Sequence, residues 1–332
     1  MKHFCLSFII VSLIAFSTYS IAEEGAYFTP DKIGSSARMV RLGGMTGMSE
    51  KADSVFDNPA SLYRIKNFSS SFFRSTLVDE AVYQNFAVAI RGPIGVIGFG
   101  IFSLTVDDIY KTSIDPNDEF TFMIDSMFNY ENYLVKSVYQ LSLTNYLHVG
   151  IGGSFYYSMF DTVEATGMNM DVGLILKLSA IEISVLINNM MSSNSIKYTD
   201  TGIYDDDSLS SDGQTESLSL DVLYSVKYML RHLTMYGQIK QCGENRDLTQ
   251  TMALQLNPKF LPFIKASVGY SRFPVTNWDE GLLDVTHFSS ISTGVELNLY
   301  IIDLNYAYKQ SFLSESSVFY QQNHYFSLGY SF

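Results

Sequence analysis

Apolar and polar residues alternate along most of the chain from residue 68 onward. Residues 147–159 show the pattern best, because odd positions such as Ile151 and Phe155 are mostly apolar, while even positions such as His148 and Ser154 are mostly small or polar. A period of two predicts β-strands that each have one apolar face. The pattern therefore predicts an all-β protein.

Fourteen segments follow this pattern, and several have the roughly 9–11 residues that a tilted strand needs to cross a bilayer. Bacterial outer-membrane barrels close with an even number of antiparallel strands. In such a barrel the apolar faces meet lipid and the polar faces line the lumen. The segments are 68–75, 83–90, 94–104, 131–143, 146–159, 168–178, 181–189, 217–229, 232–241, 248–257, 263–272, 286–299, 302–310 and 323–332.

The connections between these segments alternate in length. Those after even-numbered segments are short, as at Thr144-Asn145 and Ser179-Ala180. Short periplasmic turns and longer outer loops are typical of outer-membrane barrels, whereas a soluble β-sandwich has no reason to sort its loops in this way. The sequence thus predicts a 14-stranded antiparallel transmembrane β-barrel. The longer connections after odd-numbered segments are notably 105–130, 190–216, 273–285 and 311–322.

Composition narrows the class of protein further. Only 17% of the 332 residues are charged, against about a quarter in average soluble domains. The net charge of −13 argues against nucleic acid as a partner, because phosphate binding needs a basic surface. The two cysteines exclude a disulfide scaffold. Past Ala22, charged or polar residues interrupt every apolar run, so an exported product is either soluble or a closed barrel.

The amino terminus has the layout of a secretory signal peptide. A positive start precedes the apolar run 4–16, and Ser20-Ile21-Ala22 supplies small residues before two glutamates. The run is shorter than the roughly 20 apolar residues of a membrane helix. We predict a signal peptide over residues 1–22, a segment without strand pattern over 23–67 and a barrel over 68–332, located in the outer membrane of a Gram-negative-type bacterium.

The last strand carries a further signal. Alternate residues of 323–332 are mostly aromatic or apolar and include Tyr330 and the terminal Phe332. Such a strand resembles the assembly signal of bacterial outer-membrane proteins. The resemblance implies that the barrel-assembly machinery and outer-membrane lipid are partners of this chain.

Residues 23–67 contain a motif formed by Arg41, Gly43, Gly44, Asp53, Asn58, Pro59 and Ala60. With this motif, the segment resembles the amino-terminal region of the FadL-like outer-membrane transporters and the related PorV-type proteins. In that family the region folds inside a 14-stranded barrel as a plug, the hatch. One departure is Ser61, where many members have glycine. Independently of the resemblance, the Asn58 side chain can bond neighbouring backbone and end a turn, and Gly43 and Gly44 permit close backbone approach.

Two further sets of residues become candidate sites if the chain is a transporter. Gly98, Phe99 and Gly100 occupy the place of an inward kink that opens the third strand sideways in FadL-like barrels, although ordinary glycine packing explains them equally well. Connection 105–130 is too apolar for a free surface loop, so it either packs on its neighbours or folds over the mouth as an apolar groove. In a transporter, this groove and the nearby Met190 and Met191 are the candidates for first contact with a ligand. The residues of this groove are Phe120, Phe122, Met123, Met127 and Phe128.

Nothing in the sequence indicates catalysis, a cofactor or a metal site. The five histidines are scattered without ligand spacing, and there is no Gly-x-Ser-x-Gly motif. The aspartates of 200–212 lack the order of a calcium loop, so a solvated acidic rim is expected. The expected function is passive uptake of hydrophobic small molecules, such as long-chain fatty acids or hydrocarbons. The alternative is a PorV-like barrel that binds partner proteins in secretion or surface attachment.

Overall fold

The computed structural model describes residues 33–77, 81–115, 118–191, 195–200, 213–242, 248–279, 282–313 and 321–332. The predicted signal peptide lies outside the described residues, as do residues 23–32 and most of the acidic stretch 200–212. Within the described part of the chain, no helix has the length and apolar character to span a membrane.

Strands make up most of the structure, preceded by one short helix and two 3-10 turns. The helix α1 is Ala37–Arg41, and the 3-10 turns are Ala52–Val55 and Pro59–Arg64. The strands are β1 (Phe68–Leu77), β2 (Ala81–Arg91), β3 (Val96–Asp115), β4 (Asp118–Ser142), β5 (Leu147–Phe160), β6 (Val163–Leu178), β7 (Ile181–Asn188), β8 (Ile196–Asp200), β9 (Thr215–Glu216), β10 (Asp221–Met229), β11 (Leu233–Cys242), β12 (Leu248–Leu256), β13 (Ile264–Asp279), β14 (Leu282–Leu299), β15 (Ile302–Leu313) and β16 (Gln321–Ser331).

Fourteen of these strands form one closed antiparallel ring, as predicted. Each strand pairs with its neighbour in the chain, except that β7 pairs with β10 because β8 and β9 belong to the connection between them. The ring closes where β16 pairs with β1, with Ser331 opposite Ser69. All 14 predicted segments lie on barrel strands. The connections after even-numbered barrel strands are short and mark what we call the short-turn end.

The two faces of the wall differ as the alternation predicts. In β5, His148 and Ser154 are buried and face inward, while Ile151 and Phe155 face outward and are exposed. The outward side chains form an apolar surface around the ring. A barrel that is embedded among lipid acyl chains needs such a surface. The pattern thus places the apolar faces outward and the polar faces in the lumen.

Two of the predicted long loops, 105–130 and 273–285, are wrong over most of their length, because the chain continues there as paired strands. Residues 105–115 and 118–130 form the ends of β3 and β4, and residues 273–279 and 282–285 belong to β13 and β14. Of the predicted connection 311–322, the ends belong to β15 and β16, and residues 314–320 lie outside the described residues. Backbone pairing needs no apolar face, so a ribbon exposed on both sides escapes detection by alternation. The connection 190–216 also contains the short strands β8 and β9.

Residues 33–67, which we call the inner segment, lie inside the ring. α1 contacts β13 to β16, the first 3-10 turn contacts β1 to β4, and the second contacts β3 to β6. Further contacts reach β7, β10 and β11 through Asn58, Thr46 and the wall residue Gln238. A segment that touches strands all around a closed ring must occupy its lumen.

Candidate functional site

The predicted motif residues give the inner segment its local structure. Ser36 caps α1 by accepting a hydrogen bond from the Met39 amide and donates one to Asp53 at 2.7 Å. Asn58 accepts from the Ala60 amide at 2.9 Å, and Pro59 begins the 3-10 turn that follows. Asn58 therefore ends a turn as its residue type suggested. It also donates to Ser184 Oγ of β7 at 2.8 Å, which fastens this turn to the wall.

Gly43 and Gly44 end the helical region with φ values of 77° and 83°, a conformation that glycine adopts without strain. The amide of Gly43 donates to Ser292 Oγ of β14 at 2.9 Å. Gly43 also faces the wall residue Gly269 so closely that a methyl group on Gly269 would stand 2.2 Å from the Gly43 nitrogen. Gly43 and Gly269 therefore allow the backbone of the inner segment to lie directly on the wall.

Ion pairs join the inner segment to the wall toward the short-turn end. The fully buried Arg41 pairs with Glu296 of β14, and Arg64 pairs with Glu182 of β7. Two more pairs have N–O distances of 2.7 Å: Lys51 with Asp303, and Lys227 with Glu50. Breaking a buried pair leaves an uncompensated charge, so these contacts hold the inner segment in one position.

Two acidic groups of the inner segment have shifted pKa values. Burial raises the pKa of Asp57 to about 6, although the amides of Gly47 and Ser49 donate to its carboxylate. Burial also opposes ionisation of Glu50, but Lys227 and Arg38 outweigh it and hold the pKa of Glu50 well below its ordinary value. Glu50 therefore stays charged within its ion pairs, while Asp57 gains a proton in mildly acidic solution.

The glycines predicted as a lateral gate lie in an uninterrupted part of the wall. β3 pairs with β2 and β4 without a register shift from Val96 to at least Thr105, and the first shift follows Val106. A methyl group on Gly98 would stand 2.6 Å from Val55, and one on Gly100 would stand 2.5 Å from Phe56. Phe99 points outward. The glycines therefore make room for the inner segment, and the gate remains a prediction.

The predicted groove residues lie on β4 rather than in a loop. Phe122, Met123 and Met127 are exposed, and Phe128 packs edge-on against Phe160 with ring centroids 4.9 Å apart. The side chain of Phe120 lies outside the described residues. The β3–β4 ribbon thus presents apolar side chains beyond the ring, and their contact with a ligand remains a prediction.

An apolar cluster fills one side of the lumen. Phe102 of β3 lies between Phe56 of the inner segment and Tyr83 of β2, with ring centroids 5.0 Å and 4.6 Å away. Phe73 of β1 and Leu134 of β4 extend this cluster, and both are fully buried. This apolar half of the lumen lies next to β1–β4. The alternation in the sequence did not predict this apolar cluster, because side chains that face the lumen were expected to be polar.

A cavity of about 350 Å³ occupies the opposite side of the lumen. Its floor is the inner segment, with Val40, Gly44 and Asp57 among the lining residues. Its walls are β7, β10 to β13 and β15, and they combine apolar, amide, hydroxyl and charged groups. The wall residues are Leu186, Asn188, Asp221, Leu223, Gln238, Lys240, Thr249, Thr251, Ser271, Phe273 and Lys309.

In the part of the chain that the structure describes, no three His, Cys, Asp or Glu side chains are arranged to hold a metal ion. Ligand cavities are typically lined mainly by apolar groups with a few polar groups that fix orientation, whereas polar side chains predominate among the wall residues of this cavity.

A closed 14-stranded barrel with an apolar outer surface and an internal segment defines a class, the transmembrane β-barrels with an occupied lumen. The fold is similar to that of known hydrocarbon channels. The CymD monoaromatic hydrocarbon channel matches with a TM-score of 0.63 and 10% identity, over 91% of this chain and 98% of that one. The toluene transporter TodX of Pseudomonas putida matches with a TM-score of 0.58 and 12% identity, over 95% and 99%. The toluene transporter TbuX of Ralstonia pickettii matches with a TM-score of 0.55 and 10% identity, over 90% and 98%.

At these identities the similarity establishes the fold. It confirms the resemblance to FadL-like transporters at that level and gives no support to the alternative of a PorV-type protein that binds partners. No protein-family model and no curated protein matches the sequence.

Proposed function

We propose that this chain is an outer-membrane channel for the passive uptake of small hydrophobic molecules of the monoaromatic class. The observation that carries the proposal is the cavity of about 350 Å³ above the inner segment, in a fold shared with channels for toluene and other monoaromatic hydrocarbons. The volume lies at the small end of the range of roughly 300–1,000 Å³ for ligand pockets. The cavity therefore has room for a single-ring compound.

In this proposal the inner segment is the plug. Its ion pairs toward the short-turn end and its buried backbone support a role in closing the axial path to water. Arg41 and Asn58 hold it to the wall, and Gly43, Gly44 and Asp53 shape it. The outer apolar surface supports a location in the outer membrane, with lipid as the surrounding partner.

The exposed side chains of the β3–β4 ribbon are proposed as the first contact with the ligand. Phe122, Met123 and Met127 supply apolar surface beyond the ring. Replacing Phe122 and Met127 by serine is expected to slow uptake without changing stability. Thr112→Ser on the same ribbon is the control. If the double serine variant and Thr112→Ser take up toluene at the same rate, the ribbon is not part of the uptake path.

The test of the function is uptake of radiolabelled toluene by Gram-negative cells that produce the protein, compared with cells that do not. Faster uptake of toluene, with unchanged uptake of a polar solute of similar size, is expected. If cells with and without the protein take up toluene at the same rate, and also take up longer apolar compounds at the same rate, the proposal is rejected. Co-purification of a stoichiometric protein partner would instead favour the alternative function.

A further inference from the structure

A groove on the outer surface crosses the strands where the barrel closes. It has a volume of about 400 Å³ and lies across β14, β15, β16 and β1. Its outward side chains form two rows, because the register places one residue of each strand beside one residue of the next. The upper row, which is farther from the short-turn end, consists of Val295, Tyr306, Phe326 and Arg74.

The lower row of the groove is entirely apolar. Its side chains face outward with the rest of the lipid-facing surface, so in a membrane they contact acyl chains. Dispersion attraction grows with the number of atoms in contact, and a chain that lies in a groove is contacted on more sides than a chain on a flat wall. The lower row consists of Leu297, Leu304, Leu328 and Phe72.

Arg74 is the one charged residue of the two rows. Its side chain is exposed, and no ion pair in the described part of the chain includes it. An arginine that faces lipid destabilises a barrel at the midplane of the bilayer, but it costs little at the interface with the headgroups. A long arginine side chain can also lie along apolar surface while its charged end reaches the headgroups.

The neighbours of Arg74 show that it marks an edge of the apolar band. On β1 the outward residues change from Phe72 below it to Thr76 above it. On β2 its register partner is the polar residue Gln84. In outer-membrane barrels the short turns face the periplasm, so the edge away from them lies at the headgroups of the outer leaflet.

Two more hydrogen-bonding groups lie at this end of the groove. His324 is the next outward residue above Phe326, the register partner of Arg74. Its Nδ1 atom lies 2.8 Å from Oη of Tyr306, which lines the groove. A guanidinium binds two phosphate oxygens at once, and a hydroxyl and an imidazole supply further hydrogen bonds. The upper end of the groove thus combines the groups that bind a phosphate.

We propose that this groove binds one molecule of lipid A from the outer leaflet, with an acyl chain along the two rows and a phosphate on Arg74. Lipid A is the outer-leaflet lipid of Gram-negative bacteria that combines phosphates with acyl chains. The positive charge at the edge of an apolar groove is complementary to that chemistry. The inference goes beyond the proposed function and depends only on its outer-membrane location, because the groove lies outside the lumen.

Binding of lipid A to the purified protein in detergent tests the proposal. Native mass spectrometry measures the bound fraction during titration with bisphosphorylated lipid A. Arg74→Gln removes the charge and keeps a polar side chain, and its folding is checked by heat-modifiable electrophoretic mobility. Its affinity for lipid A is expected to be at least about tenfold lower, as for the loss of a hydrogen bond to a charged group.

Arg272→Gln is the matched control for the charge. Arg272 of β13 is also exposed and lies beside the outward-pointing Gln250, but it does not line the groove. This variant is expected to bind lipid A like the wild type. Equal loss of binding in Arg272→Gln would overturn the proposal, because any outward arginine would then have the same effect.

A second pair of variants tests the apolar part of the groove while Arg74 stays in place. Val295→Trp fills the groove and is expected to weaken binding of lipid A. Val268→Trp adds the same ring to an exposed position on β13 outside the groove and is expected to leave binding unchanged. Equal binding by these two variants would overturn the placement of the acyl chain.

The lipids themselves supply the remaining comparison. Lipid A without phosphates and phosphatidylglycerol are both expected to bind more weakly than bisphosphorylated lipid A. The proposal is overturned if either binds equally well, or if Arg74→Gln binds lipid A like the wild type. No uptake is measured, so a failure of toluene transport leaves these results unaffected. Absence of the protein from the outer-membrane fraction would overturn the site together with the proposed location.

Discussion

The two halves of the lumen hold the inner segment by opposite means. Next to β1–β4, Phe56 packs among buried aromatic rings such as Phe102 and Tyr83. Across the lumen, charged and hydrogen-bonded residues hold it, among them Arg41 with Glu296, and a cavity remains above them. Close packing fixes position but leaves no space, whereas directional polar contacts fix position at a few points and leave room between them. In the proposed channel, these two tasks are divided between the two sides of the barrel.

The largest effect is expected at the buried charge of the polar half. Arg41→Met leaves Glu296 with only Lys265, at an N–O distance of 2.7 Å, as an ion-pair partner. Removing one member of a buried pair costs about 3–5 kcal/mol. We expect a large drop in the temperature at which the barrel unfolds in detergent, measured by its heat-modifiable electrophoretic mobility.

The double variant Arg41→Met, Glu296→Met is the control for this prediction. It removes both charges of the pair, and Lys265 is partly exposed and can reach water. Most of the lost stability is expected to return. If the double variant is as unstable as the single one, packing rather than charge is responsible for the loss.

A second effect concerns pH and Asp57, which lines the cavity on its inner-segment side. Its pKa in the folded protein, about 6, lies above the ordinary value of 3.8, so the folded state binds the proton more tightly. Ionised Asp57 therefore destabilises the fold above pH 6, and this penalty disappears as the pH falls to about 4. A shift of this size corresponds to up to about 3 kcal/mol.

Asp57→Asn isolates that contribution from the other carboxylates, whose ion pairs weaken in acid. The difference in unfolding temperature between wild type and Asp57→Asn is expected to change between pH 4 and pH 6 and to be constant above pH 7. A difference that is constant over the whole range would show that Asp57 has an ordinary pKa.

The third effect tests how closely the side chains of the apolar half are packed. Gly100→Ala places a methyl group 2.5 Å from Phe56 Cζ, and overpacking of this kind costs about 1–3 kcal/mol. When Phe56→Leu is combined with Gly100→Ala, it is expected to restore much of the lost stability. Gly153→Ala is the matched control, since nothing lies within 4 Å of the added carbon.

This series also separates two explanations of Gly100. If the glycine makes room for Phe56, stability and toluene uptake fall together in Gly100→Ala and recover together in the double variant. If it belongs to a gate, uptake falls while the unfolding temperature stays near that of the wild type, and Phe56→Leu brings no recovery.

The sequence predicts the wall better than the lumen. Alternation finds each barrel strand, because one face of every strand meets lipid and the other meets the interior. It fails for the ends of β3 and β4, where residues such as Phe122 and Met123 are exposed on both faces of the ribbon. The motif residue Asn58 was recognisable because a cap bonds its own neighbours in the chain. The partners Arg41 and Glu296 are 255 residues apart, and only the register of the barrel brings them together.

The smallest effect on stability, and the clearest on transport, is expected from filling the cavity. Thr249 of β12 lines it, whereas the next residue, Gln250, points outward. Thr249→Phe puts a ring into existing space, so the stability change is expected to stay within about 1 kcal/mol while toluene uptake falls. Gln250→Phe adds the same ring to the lipid-facing surface and is expected to leave uptake unchanged. If uptake is equal in the two variants, the ligand does not pass through the polar half, and the empty space there is a consequence of polar packing rather than part of the path.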